Sequence, residues 1–321
     1  MSIRSKEHTP AGVIVGLDIG GTKMTAGAVD TTGRIAGLTT APTDAARGPA
    51  DGLGRIVALI AQAVAGDAAL SGIGIGCTGP LDTERGIVRN PYTLPTWDGM
   101  ELVAPLQERF GVPVALLNDC DAAALGEAWL GAGRGLMRIA YVTVGTGIGA
   151  GIVIGGRLLE APGGLAGEIG HATIDVNGPA CYCGSTGCLE QLAAGPAIER
   201  AVRAAGGPDW DALQQRAGAG HLVTAEVIAD AARAGLPLAR AAIEQAARAL
   251  GAGLANLAVT VAPERIVVGG GLSRAWDLIG PIVQATFERR TGLIAELGVQ
   301  IVRSELPNSA VLGAARYVMT K

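Results

Sequence analysis

Short apolar runs recur along the chain, each ending in glycine, asparagine or aspartate, and they predict buried strands. The first, Val13 to Asp18, is apolar up to its terminal carboxylate. Gly20, Gly21, Thr22 and Lys23 then turn the chain into a second strand, Met24 to Val29. Thr32-Gly33 turns it again into a third, near Ile35 to Thr40. Gly52 to Ala65 changes period, with Leu53, Ile56, Val57, Ile60 and Val64 on one face, which predicts a helix. Ile73 to Cys77 is again strand-like and leads into a long loop, Leu81 to Trp97. Val112 to Leu117 predicts a further strand, with Asn118-Asp119 at its end and a helix over Asp121 to Leu130.

From Arg138 the pattern starts again. Ile139 to Val144 predicts a strand, Gly145-Thr-Gly-Ile-Gly149 a turn, Ala150 to Ile154 a strand, and Gly155-Gly156 a turn into a short strand through Leu159. Ala193 to Arg233 is alanine-rich and helical, broken at Gly206-Gly207-Pro208. Leu236 to Val261 reads as one long helix with a weak point at Gly251 and Gly253. A buried strand from Arg265 runs into Gly269-Gly-Gly271, a helix covers Trp276 to Arg289, a last strand Val299 to Val302, and a closing helix Ala310 to Met319. Strand and helix signals alternate as in an α/β protein. The repeated glycine-hydroxyl turn in each half predicts two related lobes clasping phosphates between them.

Composition narrows the class. The chain has 321 residues, is 49% hydrophobic and only 3% aromatic, so its cores are built from Ala, Val, Ile and Leu. Its 50 glycines are about twice the usual share, and they cluster in short loops after apolar runs. The net charge is -4 and the lysines are Lys6, Lys23 and Lys321 alone, so no basic patch predicts a nucleic-acid or membrane partner. The start, Met1 to Pro10, is polar and lacks the apolar core of a signal peptide. The longest uncharged stretch, Ile139 to Gly156, is interrupted by glycines and is no spanning helix. A cytoplasmic protein is the expectation.

Four positions carry candidate metal chemistry. His171, Cys181, Cys183 and Cys188 offer one imidazole and three thiolates in tight glycine turns, the ligand set of a closed structural zinc site. An odd number of nearby thiols with no secretory leader argues against a disulfide framework. Gly20, Gly21 and Thr22 can aim amides and a hydroxyl at phosphate oxygens, Lys23 adds charge, and Asp18 can hold a magnesium ion through water. The simpler alternative is a plain glycine hairpin. Gly269 to Gly271 would admit a flat ring or ribose against the backbone, or serve only as a strand-to-helix turn. Asp119 is either a helix cap or a general base held ionised by the helix dipole. Asn90 either bonds a polar ligand or stabilises the turn before Pro91. Cys77 and Cys120 read as buried packing residues.

Together these residues resemble the ROK family of sugar kinases and repressors, within the actin and hexokinase ATPase superfamily. The resemblance runs through Asp18-Ile-Gly-Gly-Thr-Lys23, Asn118-Asp119, Gly145-Thr-Gly147, Glu168-Ile-Gly-His171, the Cys-x-Cys-Gly-x-x-Gly-Cys-x-Glu run ending at Glu190, and Gly269-Gly-Gly271. It implies two RNase-H-like lobes with an interlobe cleft, sugar deep in that cleft and ATP entering from the second lobe. The first lobe would span 1–128, joined by the closing helix 308–321, and the second 129–307 with the zinc loop. It implies Asp119 as the base that deprotonates a sugar hydroxyl, and Asn90, Asn118, Asp119, Glu168, His171 and Glu190 as sugar contacts. Asp18, Gly20, Gly21, Thr22, Lys23, Gly145, Thr146, Gly147, Gly270 and Gly271 would serve ATP and Mg2+. The Asn90 loop, Asn-Pro-Tyr-Thr-Leu-Pro-Thr-Trp, departs from the family's commoner Pro-Asn-Leu-Pro. The implied activity is ATP-dependent phosphorylation of a hexose, glucose first, with N-acetylmannosamine or N-acetylglucosamine as alternatives and a homodimer expected. The family's repressor branch carries a helix-turn-helix segment that the short polar start does not provide, and the intact Asp119 also argues for catalysis.

Overall fold

The computed structural model describes residues 12–64, 69–218 and 220–321; the polar start and Ala65, the last residue of the first predicted helix, lie outside them. The chain opens with β1 (Val13–Ile19), β2 (Lys23–Val29), β3 (Ile35–Pro42), α1 (Pro49–Ala63) and β4 (Leu70–Cys77). Next come β5 (Leu81–Asp82), β6 (Ile87–Val88), α2 (Val103–Phe110), β7 (Val114–Asn118) and α3 (Asp119–Leu130). The pattern resumes with β8 (Arg138–Val144), β9 (Ile148–Ile154) and β10 (Arg157–Leu158). The helices α4 (Leu189–Ala193), α5 (Gly195–Ala205), α6 (Gly207–Ala217), α7 (Ala225–Arg233) and α8 (Pro237–Val261) follow. The chain closes with β11 (Arg265–Gly269), α9 (Trp276–Arg290), β12 (Gln300–Arg303) and α10 (Ser309–Thr320).

Two five-stranded mixed sheets share one plan, β3-β2-β1-β4-β7 and β10-β9-β8-β11-β12. β1, β2 and β3 pair antiparallel while β1, β4 and β7 run parallel. In the second sheet β9 and β10 are antiparallel, and β8, β11 and β12 parallel. The α/β class and the internal repeat read from the glycine turns are thus realised in the strand order. The described residues form two compact units. One contains the chain up to Met137 with Gly151–Ala166 and Glu305–Lys321, and the other Arg138–Ala150 with Gly167–Ser304.

In the first unit α1 buries Ile56, Leu59 and Ile60 in a core with Leu17, Ile19, Met24, Ile73 and Ile75. On α10 a different rule applies, because backbone meets backbone. A Cβ on Gly16 of β1 would lie 1.9 Å from the Val311 carbonyl oxygen, and one on Gly74 of β4 would lie 1.9 Å from that of Ala314. Gly313 of α10 is equally tight against the Ala122 carbonyl of α3, at 1.7 Å. Glycine here permits close approach and is not a turn signal. The same logic corrects the expected weak point in α8, which continues unbroken through Gly251 and Gly253. A Cβ at Gly251 would meet Val283 O at 2.7 Å in α9, and one at Gly253 would meet Leu189 at 2.4 Å in α4.

Helix α2 has no counterpart in the sequence pattern. It is eight residues long and buries only Leu106, too little for a periodic signal. The loop after β4 is also more ordered than its composition implies: β5 and β6 form a small antiparallel hairpin, and Leu94 and Trp97 are fully buried. Among the described residues no helix is long and apolar enough to cross a membrane.

Two glycine substitutions test this reading. Gly54 in α1 is exposed with open space at its Cβ position, so Gly54→Ala is expected to stabilise by about 0.5–1 kcal/mol. Gly74→Ala is expected to destabilise by about 1–3 kcal/mol as α10 is pushed off the sheet. Urea denaturation of both variants distinguishes them, and effects of equal sign would contradict the packing described.

Candidate active site

In the first unit the glycine hairpin at the end of β1 is closed by its own backbone, with Gly20 N–H donating to Lys23 O at 2.9 Å. Thr43, fully buried, holds it from behind. Its hydroxyl donates to Gly20 O at 2.6 Å and its amide to Thr22 O at 2.9 Å. Thr43 carries no motif and was invisible as a site residue. Asp18 stands beside this turn on β1, in register with Thr25 of β2 and Gly76 of β4.

At the end of β7 the two readings of Asp119 separate. Asn118 takes the cap, its Oδ1 accepting from Cys120 N–H at 2.8 Å. Asp119 is the first residue of α3, and its Oδ1 accepts from the same amide at 2.8 Å and from the Cys120 thiol at 3.4 Å. Burial raises the Asp119 carboxyl above the ordinary carboxylate range, against the lowering effect of the two Cys120 donors. Asp18 is pushed up to about 7, first by burial and then by the charge of Asp119, with Lys23 pulling the other way. Two acids thus share one desolvated region, and the charge of Asp119 adds to the burial that disfavours ionisation of Asp18. Cys77 is fully buried beside them, its thiol pushed well up by burial and by both carboxylates, which fits a packing residue and not a nucleophile.

Asn90 serves its loop. It is fully buried; its Nδ2 donates to Thr78 O at 3.2 Å and Gly79 O at 2.6 Å. Its Oδ1 accepts from Tyr92 N–H at 3.1 Å and Thr93 N–H at 2.7 Å. Both amide hydrogens and both lone pairs are engaged with backbone, so of the two readings open in the sequence these bonds serve the turn.

In the second unit the turn Gly145-Thr146-Gly147 joins β8 to β9, with Gly145 N–H donating to Gly147 O at 2.9 Å. Gly270, at φ 83°, turns the chain at the end of β11, and a side chain there would strike Val144 O at 2.5 Å. Gly271 N lies 3.7 Å from where a Gly145 Cβ would stand, so the two glycine turns are neighbours. Glu190, in the first turn of α4, accepts from Ile148 N–H at 2.9 Å through Oε2, and a side chain on Gly147 would come within 2.6 Å of that oxygen. A residue expected only to meet sugar therefore also clamps the glycine turn.

The segment Glu168 to His171 is stitched to β9 by Ala150 N–H donating to Gly167 O at 2.9 Å. It brings His171 to the cysteines. The ligand atoms of His171, Cys181, Cys183 and Cys188 all lie within 4.8 Å of one another. His171 Nδ1 is 3.6 Å from Cys181 Sγ, and Cys183 Sγ is 3.6 Å from Cys188 Sγ. A tetrahedral ion with sulfur at about 2.3 Å and nitrogen at about 2.0 Å sets such edges near 3.8 and 3.5 Å. The donor set and its spacing fit a closed four-ligand metal site. Burial and the neighbouring thiols push Cys188 up to about 12, while hydrogen bonds, first from the Ser185 backbone, lower Cys183.

Tyr182 stands between two of the cysteines. Its hydroxyl is 3.3 Å from His171 Nε2, the ring nitrogen facing away from the thiols, and the rings meet edge to face at 5.1 Å. It also hydrogen-bonds the Glu190 carboxylate, and the charges of Glu190 and Glu168 add to the burial that raises its phenol. In a chain so poor in aromatics, a tyrosine inside the metal motif was the available signal.

A duplicated α/β architecture, with a glycine turn in each sheet, paired acids at strand ends and a thiol-rich metal cluster, defines a phosphate-handling protein of the kinase-like kind. The ROK family pattern matches residues 14–321, and the chain belongs to that family. It is 34% identical over 307 residues to the glucokinase of Thermotoga maritima, covering 95% of this chain and 96% of that one. An N-acetylmannosamine kinase of Escherichia fergusonii is 34% identical over 262 residues, 81% of this chain and 83% of the relative. Among solved structures, a ROK family glucokinase from Streptomyces griseus in complex with glucose and AMPPNP superposes with a TM-score of 0.79. It is 34% identical and covers 95% of this chain and 99% of its own.

The acid pair makes a stability prediction. Because the Asp18 carboxyl is raised in the folded state, its favourable contribution is present below about pH 3.8 and is lost as pH rises through about 7. Asp18→Asn, which cannot ionise, is therefore expected to gain stability relative to wild type between pH 5 and pH 8 in the ligand-free protein. Urea unfolding at both pH values measures the gap, and a gap that does not widen would refute the assigned burial.

Proposed function

We propose that this protein is an ATP-dependent sugar kinase that phosphorylates a hexose hydroxyl, with glucose as the preferred acceptor. The observation that carries the reading is Asp119, relieved of capping by Asn118 and held with its carboxyl raised toward neutrality. A base with that character takes a proton from a hydroxyl more readily than a solvated carboxylate does. Deprotonation makes the hydroxyl oxygen a competent nucleophile for the terminal phosphorus of ATP. The remaining work of phosphoryl transfer is positioning and charge neutralisation.

In this reading Asp18, beside the Gly20–Lys23 turn, would hold Mg2+, which would supply positive charge at the phosphates. A cation there would also favour the ionised form of Asp18. Lys23 adds a second positive charge. Thr22 and Thr146 supply hydroxyls, and the glycines of the turns let backbone amides approach phosphate oxygens. Glu168, His171 and Glu190 contact sugar hydroxyls, which suit carboxylate and imidazole acceptors and donors, while Asn118 orients Asp119. Zinc held by His171, Cys181, Cys183 and Cys188 would be structural, since four protein ligands leave no open position for substrate. The similarity to glucokinases over nearly the whole chain supports glucose, and the similarity to N-acetylmannosamine kinase supports an N-acylated hexosamine as the second reading.

A coupled ADP-release assay over glucose, mannose, N-acetylglucosamine and N-acetylmannosamine decides between them, and inactivity on all four would reject the kinase. Asp119→Asn is expected to lower kcat by about 10²–10⁴-fold while glucose still binds. For wild type, kcat/KM is expected to fall as pH drops through the raised Asp119 carboxyl, above the ordinary carboxylate range. An acid limb at the ordinary range would argue against Asp119 as base. Elemental analysis is expected to find one zinc per chain, and Cys181→Ala to lose most of it together with glucose affinity; native protein free of zinc would remove the metal from the scheme.

A further inference from the structure

The acceptor groups assigned above do not face open space. His171 presents Nδ1 to the Cys181 sulfur at 3.6 Å, so its outward nitrogen is Nε2, and the Tyr182 hydroxyl stands 3.3 Å from that nitrogen. The same hydroxyl is bonded to the Glu190 carboxylate, and Glu168 is close enough for its charge to act on it. Once Nδ1 is a metal ligand, Nε2 carries the ring hydrogen. The proton order then runs from His171 Nε2–H to the Tyr182 oxygen, and from Tyr182 O–H to Glu190. One hydroxyl that accepts from an imidazole and donates to a carboxylate is also what a sugar alcohol offers.

Tyr182 is poorly anchored for a structural residue. It is 52% exposed, its ring meets His171 edge to face, and Gly184, at φ 91°, follows closely in the loop. Glu190, by contrast, is held by Ile148 N–H through Oε2. The fixed partners are thus the imidazole and the carboxylate, and the replaceable one is the phenol.

We propose that Tyr182 is an internal plug of the acceptor site, its hydroxyl standing in for a sugar hydroxyl on His171 and Glu190 until an acceptor displaces it. The inference rests on the sugar-kinase reading of those two residues and adds a determinant of selectivity to it. The plug keeps these half-buried donors and acceptors satisfied when no acceptor is bound, so a sugar must return both hydrogen bonds to compete. An acceptor lacking that hydroxyl leaves the phenol in place and is turned away without any steric clash.

Calorimetric titration of glucose into the metal-loaded protein tests it, with zinc content and thermal stability measured on each variant. Tyr182→Phe keeps the ring and removes the competing hydroxyl, so the Kd for glucose is expected to fall by about threefold to tenfold. Unchanged zinc content would show that the metal loop is intact. Tyr182→Leu, which also removes the ring contact, is expected to tighten binding in the same direction. A Kd that stays the same or rises in both variants overturns the plug. Glu190→Gln tests the underlying reading separately. If it weakens glucose while the Tyr182 variants change nothing, only the plug is lost; if it binds glucose as wild type does, the acceptor assignment fails and the plug with it.

Discussion

The burial of two acids, Asp18 and Asp119, is the constraint on which the rest of the first unit depends, and at Asp18 the charge of Asp119 adds to it. Each sits at the end of a parallel strand, and burial makes both reluctant to ionise. Such a pair opposes folding above neutral pH, so the surrounding structure must be stable enough to hold it. The backbone-to-backbone contact of α10 with β1 and β4, made possible by Gly16 and Gly74, is the kind of rigid packing that does so. The same burial underlies the roles proposed above for the two acids, Asp119 as a base and Asp18 as a holder of a cation.

The second unit organises its polar groups around a different restraint, the clustering of three thiols and an imidazole. These four side chains come from a loop with little regular structure of its own, and a cation is what would make their closeness favourable. The cluster aims His171 Nε2 outward, sets Tyr182 against it and places α4 so that Glu190 reaches Ile148 N–H. The cysteine loop and the glycine turn are thereby linked through the Glu190 side chain, which bonds both Tyr182 and Ile148 N–H.

Much of this was legible in the linear pattern. The strands ending at Asp18, Cys77 and Asn118 and the repeat beginning at Arg138 were readable because buried parallel strands are short apolar runs with glycine or acid at their ends. The cluster of His171 with three cysteines was readable because cysteine in glycine turns has few other uses. Helix α2 was not, being short and burying a single leucine. Thr43 was not either, because a threonine bonded to a turn it meets only in space has no local signature.

The residues alone therefore determined the class of chemistry: which side chains could hold metal, meet phosphate or move a proton. Only the tertiary structure decided between alternatives that share a local sequence. Asn118 and Asp119 are adjacent and both cap helices well, and geometry assigned the cap to the first. Asn90 could face a ligand or its own loop, and four backbone partners turned it inward. Gly251 and Gly253 in α8 resembled a weak point but are contact points. The physical reason is common to all of them: propensity and motif act over a few residues, whereas burial and hydrogen-bond partnership are set by groups distant in sequence that the fold brings together.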